Sequence, residues 1–265
     1  MNKTDILTPI GFVVAFGLVI FGIMVGDKLG LGLKPFIDVP SLAITVGGSL
    51  GALLVTFTMD EIKDIPKALK ACMFSTNINK IDLINQFKDI SKKVRSEGVL
   101  ALESSIGEIE NDFLRKGLEH VVDGMDAEVT KTILETEISA VETTYARYSR
   151  LFKLWGSFTP AFGMVGTLIG LIQMLADLGD ASAIAAGMGA ALITTFYGAL
   201  FANGIFNPLG FNVEVKGEKE VEILEMMMVG ICSIQNEVSL PVLEANLICY
   251  LNAAEKKAFE EAGGA

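Results

Sequence analysis

Hydrophobic and polar positions divide this chain into long blocks. Four stretches, residues 6–26, 39–59, 154–176 and 181–213, contain no Asp, Glu, Lys, Arg or His. Each is long enough to cross a bilayer, which takes about 20 residues of helix. The polar segment between the second and third stretches carries apolar residues at helical spacing, among them Leu100, Ile106, Ile109, Phe113, Leu114, Leu118, Val121 and Val122. Breaks are expected at 75–79, at Gly98 and at 124–126, with one helix from Asp126 to Lys153 leading into the third stretch. Beyond Val213 the periodicity resumes through Val221, Leu224, Met228 and Ile231, and Pro241 opens another helix. The pattern predicts an all-α, polytopic membrane protein with four transmembrane helices and a helical cytoplasmic domain. Residues 1–59 form a first two-span hairpin, 60–153 a helical domain, 154–213 a second hairpin and 214–265 C-terminal helices.

Composition supports this reading: 51% of the 265 residues are hydrophobic. The formal charge of -11 lies outside the apolar stretches and argues against nucleic acid as a partner. Lys3 before the first stretch resembles the start of a secretory leader. No small-residue cleavage site follows Ile23 to Gly26, so a retained helix is expected. Lys and Arg crowd the segment 60–153, and the loop 177–180 has none. The loop between the first two stretches sets Lys28 and Lys34 against Asp27 and Asp38. Cytoplasmic flanks attract basic residues, so both termini and the middle segment are expected on the cytoplasmic side. Cys72, Cys232 and Cys249 are scattered and His120 stands alone, so neither a metal site nor a disulfide framework is expected.

Candidate chemistry is confined to the second hairpin and the middle segment. Gly166 and Gly170 lie four apart, and Gly187, Ala191, Thr194, Gly198 and Ala202 follow at steps of three or four. Such small-residue faces let helices approach closely in lipid, where packing drives association. Thr167, Thr194 and Thr195 fall midway along their stretches. A hydroxyl there either bonds its own backbone or offers an oxygen to water or a cation. Thr195 is turned about 100° from Thr194, onto an adjoining face. No carboxylate accompanies them, so either no ion moves or a partner helix brings the acid. Pro160 and Pro208 each free a carbonyl one turn back, as a boundary, kink or hinge. Arg95 and Glu103 would lie about 80° apart on an unbroken helix, unless Gly98 interrupts it. They are either a solvated face or a docking pair. The Met226 to Met228 run is read as helix core rather than a peptide groove.

Three strings, "RSEGVLALE" at 95–103, "TPAFGMVGTLIGLIQML" at 159–175 and "GMGAALITTFYGALFANGIFNPL" at 187–209, together with the four-span layout, resemble the flagellar motor stator A subunits (MotA/PomA) of the MotA/TolQ/ExbB superfamily. The resemblance covers nearly the whole chain. It implies a pentamer enclosing two B subunits, each with a single transmembrane helix carrying the ion-binding Asp, in the bacterial inner membrane. Thr167, Thr194 and Thr195 match hydroxyl positions lining the path, for H⁺ or Na⁺. Pro160 and Pro208 match the family's functional prolines. Arg95 and Glu103 match its charged pair facing a rotor switch-complex protein, and Glu137 matches a further acid by its distance from Pro160. No cofactor is implied beyond the transported ion, and no enzymatic activity. An energiser of the ExbB/TolQ type and a non-conducting membrane scaffold are the alternatives.

Overall fold

The structure is a computed structural model that describes residues 2–27, 30–76 and 78–262. Met1, Lys28 and Asn77, which entered the sequence reading, lie outside the described residues. The chain forms two compact units, one of residues 3–75 and 145–216, the other mainly of residues 76–144 and 217–265. Apart from a short pairing of strand Asn2–Thr4 with Phe74–Thr76, the described residues are helices and their connections. Four helices are long and apolar enough to cross a membrane, and they account for the four apolar stretches except that the second ends at Thr56, where Phe57 turns extended, rather than at residue 59.

The first unit holds those stretches. Asp5 starts the first helix, Leu7–Gly26, by accepting the Leu7 and Thr8 amides at 3.0 and 3.4 Å and the Thr8 hydroxyl at 2.7 Å. Asp38 caps the second by accepting the Ser41 amide at 2.9 Å, with Pro40 in the first turn, where its missing N–H costs nothing. The third stretch lies in one helix, Ala127–Ala176. Its long polar lead-in, 127–155, has neither Gly nor Pro to stop it. The fourth runs Ala181–Phe201, widens to a π turn at Ala202–Phe206, and continues as Asn207–Gln235. Pro208 accounts for the wide turn, because its ring excludes the carbonyl of Gly204 from a normal helical bond. Leu53, Ala68, Cys72, Leu151, Phe152, Leu209 and Val213 close the base of this unit. Burial pushes the Cys72 thiol up to about 11, which keeps it protonated and inert.

The two hairpins are offset along their length. The Asn212 amide donates to the Thr8 hydroxyl at 2.9 Å, and Phe16 approaches Gly204. Farther out, the Tyr197 hydroxyl donates to the Phe36 carbonyl at 2.6 Å and accepts the Asp38 amide at 2.9 Å. Helix from Tyr197 to Asn212 therefore matches the whole first hairpin, about 22 Å at 1.5 Å per residue. The threonines Thr167, Thr194 and Thr195 are thus midway along their own apolar stretches yet level with the outer end of the first hairpin. Beyond that level Leu168, Ile172, Leu175, Met188 and Leu192 stand exposed.

The second unit packs the helices Lys80–Glu97, Asp112–Val122, Leu240–Ile248 and Ala253–Glu261 with the polar ends of the two long helices. Its core includes Phe87, Leu114, Leu118, Leu134, Met226, Met227, Ile231 and Leu243. Met226 and Met227 are therefore core residues. Two glycines let this core close: a side chain at Gly117 would strike Ile231, and one at Gly230 would strike Phe87. Gly98, at φ +85°, ends the helix Lys80–Glu97, and a 3-10 turn, Val99–Leu102, follows before Glu103–Ile106. The unbroken helix that would set Arg95 about 80° from Glu103 therefore does not exist. Leu100, expected among the core positions, is 72% exposed for the same reason.

Candidate functional site

The third and fourth helices meet backbone to backbone. A Cβ added at Gly170 would lie 2.6 Å from the Gly187 carbonyl and 2.7 Å from the Ala191 amide. One at Gly187 would lie 2.7 Å from the Gly170 carbonyl, and one at Gly198 would lie 3.3 Å from the Gly163 Cα. Real Cβ atoms almost never come within 3.0 Å, so Gly166, Gly170 and Gly187 admit no larger residue without a shift, and with Gly198, where a Cβ would be tight, and Ala191 they form one seam. Gly163 belongs to the same seam: a Cβ there would lie 3.0 Å from the Thr194 carbonyl. Its place four residues before Thr167 was the available signal.

The seam divides the three candidate hydroxyls. Thr194 is buried, at 1% exposure, with its methyl over Gly166 and its hydroxyl donating back to the Ala190 or Ala191 carbonyl at 2.9 and 3.0 Å. Such back-bonding is the ordinary fate of a helical threonine. Thr167 and Thr195 instead meet across the helix pair, hydroxyl to hydroxyl at 2.5 Å. Both also reach the Ala191 carbonyl, at 3.1 and 3.2 Å. Two hydroxyl protons serve these contacts and the Gly163 carbonyl at 3.1 Å. Three oxygens therefore converge with lone pairs to spare, and Thr195 is exposed. Chemically this is an acceptor cluster suited to a hydrated cation or a proton-carrying water.

The prolines sit at opposite ends of this arrangement's inner half. Pro160 lies inside the third helix, where its Cα is 3.2 Å from the Cβ position of Gly198. The preceding Thr159 hydroxyl bonds the Trp155 carbonyl at 2.7 Å. Pro208 follows the π turn and lines a cleft of about 400 Å³ with Thr8, Phe12, Asn203, Gly204 and Asn212. Below the cleft the Asp5 carboxylate and the Lys216 ammonium pair at 2.8 Å, both largely buried, and Lys216 also donates to the Cys72 carbonyl. The Lys216 bond holds the Asp5 carboxyl well below the usual carboxylate range, against the opposing effect of burial and with the Thr8 hydroxyl assisting. Sequence inspection missed this pair because its members are 211 positions apart.

The remaining candidates lie in the other compact unit. Arg95 is exposed and donates to the Glu237 carbonyl at 3.3 Å. Glu103 is exposed at the start of its short helix. Glu137 faces Lys116 at 3.6 Å across two helices, with both side chains partly open to water. The structure does not join Glu137 to Arg95 or Glu103 by any bond.

Comparison with known proteins agrees with this architecture. Residues 105–226 match the model of the MotA/TolQ/ExbB proton channel family. The chemotaxis protein PomA of Vibrio alginolyticus is 35% identical, over 95% of this chain and 97% of its own length. Motility protein A of Borreliella burgdorferi is 36% identical, over 97% and 96%. Among solved structures, the flagellar MotAB stator complex from Bacillus subtilis contains a chain that superposes with a TM-score of 0.87 at 27% identity, covering 96% of this chain and 99% of that one.

Proposed function

The chain belongs to the MotA/TolQ/ExbB proton channel family, as a flagellar stator A subunit in the membrane, and on that premise we propose that five copies ring two B subunits and turn ion flow into torque on the rotor. The observation that carries the ion-path part of this reading is the exposed oxygen cluster of Thr167, Thr195 and Ala191. It lies between two apolar stretches, 154–176 and 181–213, that contain no Asp, Glu, Lys, Arg or His. A partner helix bearing an Asp supplies the missing group, and the carried ion is H⁺ or Na⁺. Both termini and the second unit face the cytoplasm of a bacterial inner membrane.

The mechanism is electrostatic. An ion leaving the oxygen cluster for the partner's carboxylate neutralises it and removes a penalty of about 2.5 to 3.5 kcal/mol at a helix centre. One charge falling through 100 mV contributes about 2.3 kcal/mol more. The ring then steps around the B helices, with Pro160 and Pro208 giving where the helical bonds are already broken. Arg95, Glu103 and Glu137 engage charges on the rotor switch-complex protein. Screening confines that contact to about 8 Å at physiological salt.

Co-expression with the neighbouring single-span reading frame and mass measurement of the detergent-purified complex test the assembly. Five copies with two Asp-bearing partners are expected. A partnerless assembly that conducts neither H⁺ nor Na⁺ in liposomes would overturn the reading.

A further inference from the structure

The first and fourth membrane helices touch at two levels and part between them. Near the start of the first helix the Asn212 amide donates to the Thr8 hydroxyl at 2.9 Å, and deeper in the Phe16 ring comes within 3.4 Å of a side-chain position at Gly204. Thr8 and Phe16 are eight residues apart, about 12 Å along a helix. The cleft of about 400 Å³ opens in that interval, walled by Gly11, Phe12, Ala15, Gly204, Pro208 and Leu209. Gly11 differs from the glycines of the seam, because a Cβ added there meets nothing within 4 Å. Small residues here widen a gap instead of closing one.

Polarity along the cleft is graded in the way a bilayer leaflet is. Asp5, Thr8 and Asn212 gather at the end where the first helix begins. Asn203 lies deeper, but its amide donates to the Ala199 carbonyl at 3.2 Å and its carbonyl accepts from Asn207 at 3.4 Å, so both groups are already bonded. The first helix buries no residue, so along that side the cleft is open to what surrounds an apolar helix in a membrane. A helix of a second copy, about 10 Å across, would displace roughly 900 Å³ over the same length, more than twice the cleft. An acyl chain fits where a helix does not. Among the described residues, the one charged group lining the cleft is the Asp5 carboxylate, which Lys216 pairs at 2.8 Å. The polar end is thus neutral in sum and offers no unpaired cation to an anionic headgroup.

We propose that this cleft holds one acyl chain of a zwitterionic phospholipid, phosphatidylethanolamine, from the leaflet in which the first helix starts. Its headgroup sits at Asp5 and Thr8, and the chain runs past Gly11 and Ala15 toward Gly204. Bound there, it supplies the dispersion contacts that the two helices do not make with each other. It thereby braces the first helix against the wide turn beside Pro208.

The test uses the full chain, with whatever subunits co-purify, in nanodiscs of equal phosphatidylethanolamine and phosphatidylglycerol. Mild detergent then removes loose lipid, and native mass measurement identifies what each copy keeps. Retained phosphatidylethanolamine, in excess over phosphatidylglycerol, is expected. Gly11→Leu should cut that retention about tenfold, because its side chain takes the place of lipid methylenes. Gly22→Leu, the same change on the same helix outside the cleft, should retain lipid like wild type. Ala15→Leu fills the cleft from an exposed position and repeats the test should Gly11→Leu not fold. No retained lipid in the wild type, undiminished retention in both cleft variants, or an equal loss in Gly22→Leu overturns the site. A preference for phosphatidylglycerol overturns the assigned headgroup. A photo-crosslinker at position 15 that captures a second copy instead of lipid gives the cleft to a neighbouring subunit and overturns the proposal as well.

Discussion

The first apolar hairpin contains the most hydrophobic helix of the chain, Leu7–Gly26, yet this helix buries no residue and its four glycines meet nothing within 4 Å. The second hairpin is less apolar, but its glycines bring two backbones into contact along the whole seam from Gly163 to Gly198. Hydrophobicity therefore places a helix in the membrane without assigning it a neighbour. In lipid there is no gain from hiding a leucine behind another helix, so close packing depends on small residues and on the few polar atoms that find partners. The first hairpin is tied by such polar atoms, Asp5 to Lys216, Thr8 to Asn212 and Phe36 to Tyr197. The second is tied by shape.

That contrast predicts unequal responses to the same substitution. Gly170→Leu should separate the seam, because the new side chain begins 2.6 Å from a backbone oxygen. No B-subunit complex should be recovered and swimming should be lost. Gly22→Leu should leave both unchanged. An equally severe Gly22→Leu would mean that the first helix faces protein in the assembly.

A finer division runs through adjacent threonines. Thr195→Val should lower ion flux about tenfold, the equivalent of about 1.4 kcal/mol in a barrier, with B-subunit yield unchanged. Thr194→Val keeps the methyl contact over Gly166 and loses only back-bonds, so it should cost about 1 kcal/mol of stability and little flux. Flux measured in liposomes separates them, and equal losses would erase the distinction between exposed cluster and packed seam.

The polar tie of the first hairpin is open to pH. Asp5 has its pKa lowered by Lys216. Its stabilising contribution is therefore complete above the unfolded carboxylate pKa near 4 and is lost only as pH falls through the lower folded value. Asp5→Asn should lower stability in detergent by about 1 to 2 kcal/mol at neutral pH, and the variant should lack this acid-dependent loss. A melting curve whose acid dependence is the same in both proteins would show that the pair contributes nothing. The smallest effect concerns strain outside either hairpin. Glu237 stands at φ 50°, a left-handed position that glycine ordinarily fills, so Glu237→Gly should raise the stability of its unit by about 0.5 to 1 kcal/mol, read by chemical denaturation of the complex.

Much of this was legible from local features. The four apolar blocks, the stop at Gly98, the long helix into the third stretch and the small-residue faces all follow from composition and spacing within one turn or one span. The different surroundings of the three threonines were not legible: spacing put Thr194 and Thr195 on adjoining faces but gave no sign of which face the glycine seam would cover. Leu100 shows the same limit. Helical periodicity counted it as core until the left-handed glycine two residues earlier turned it outward.

The sequence by itself determined which segments enter the membrane, because removing charge from about 20 consecutive residues leaves helix as the only structure that satisfies the backbone in lipid. It also determined where the helices start and stop, through caps, glycines and prolines. Tertiary structure decided the offset of the two hairpins, the pairing of Thr167 with Thr195, the Asp5–Lys216 contact and the cleft beside Pro208. Each depends on atoms distant in sequence meeting at a few ångströms, and hydrogen bonds and backbone contacts are selective only at that range.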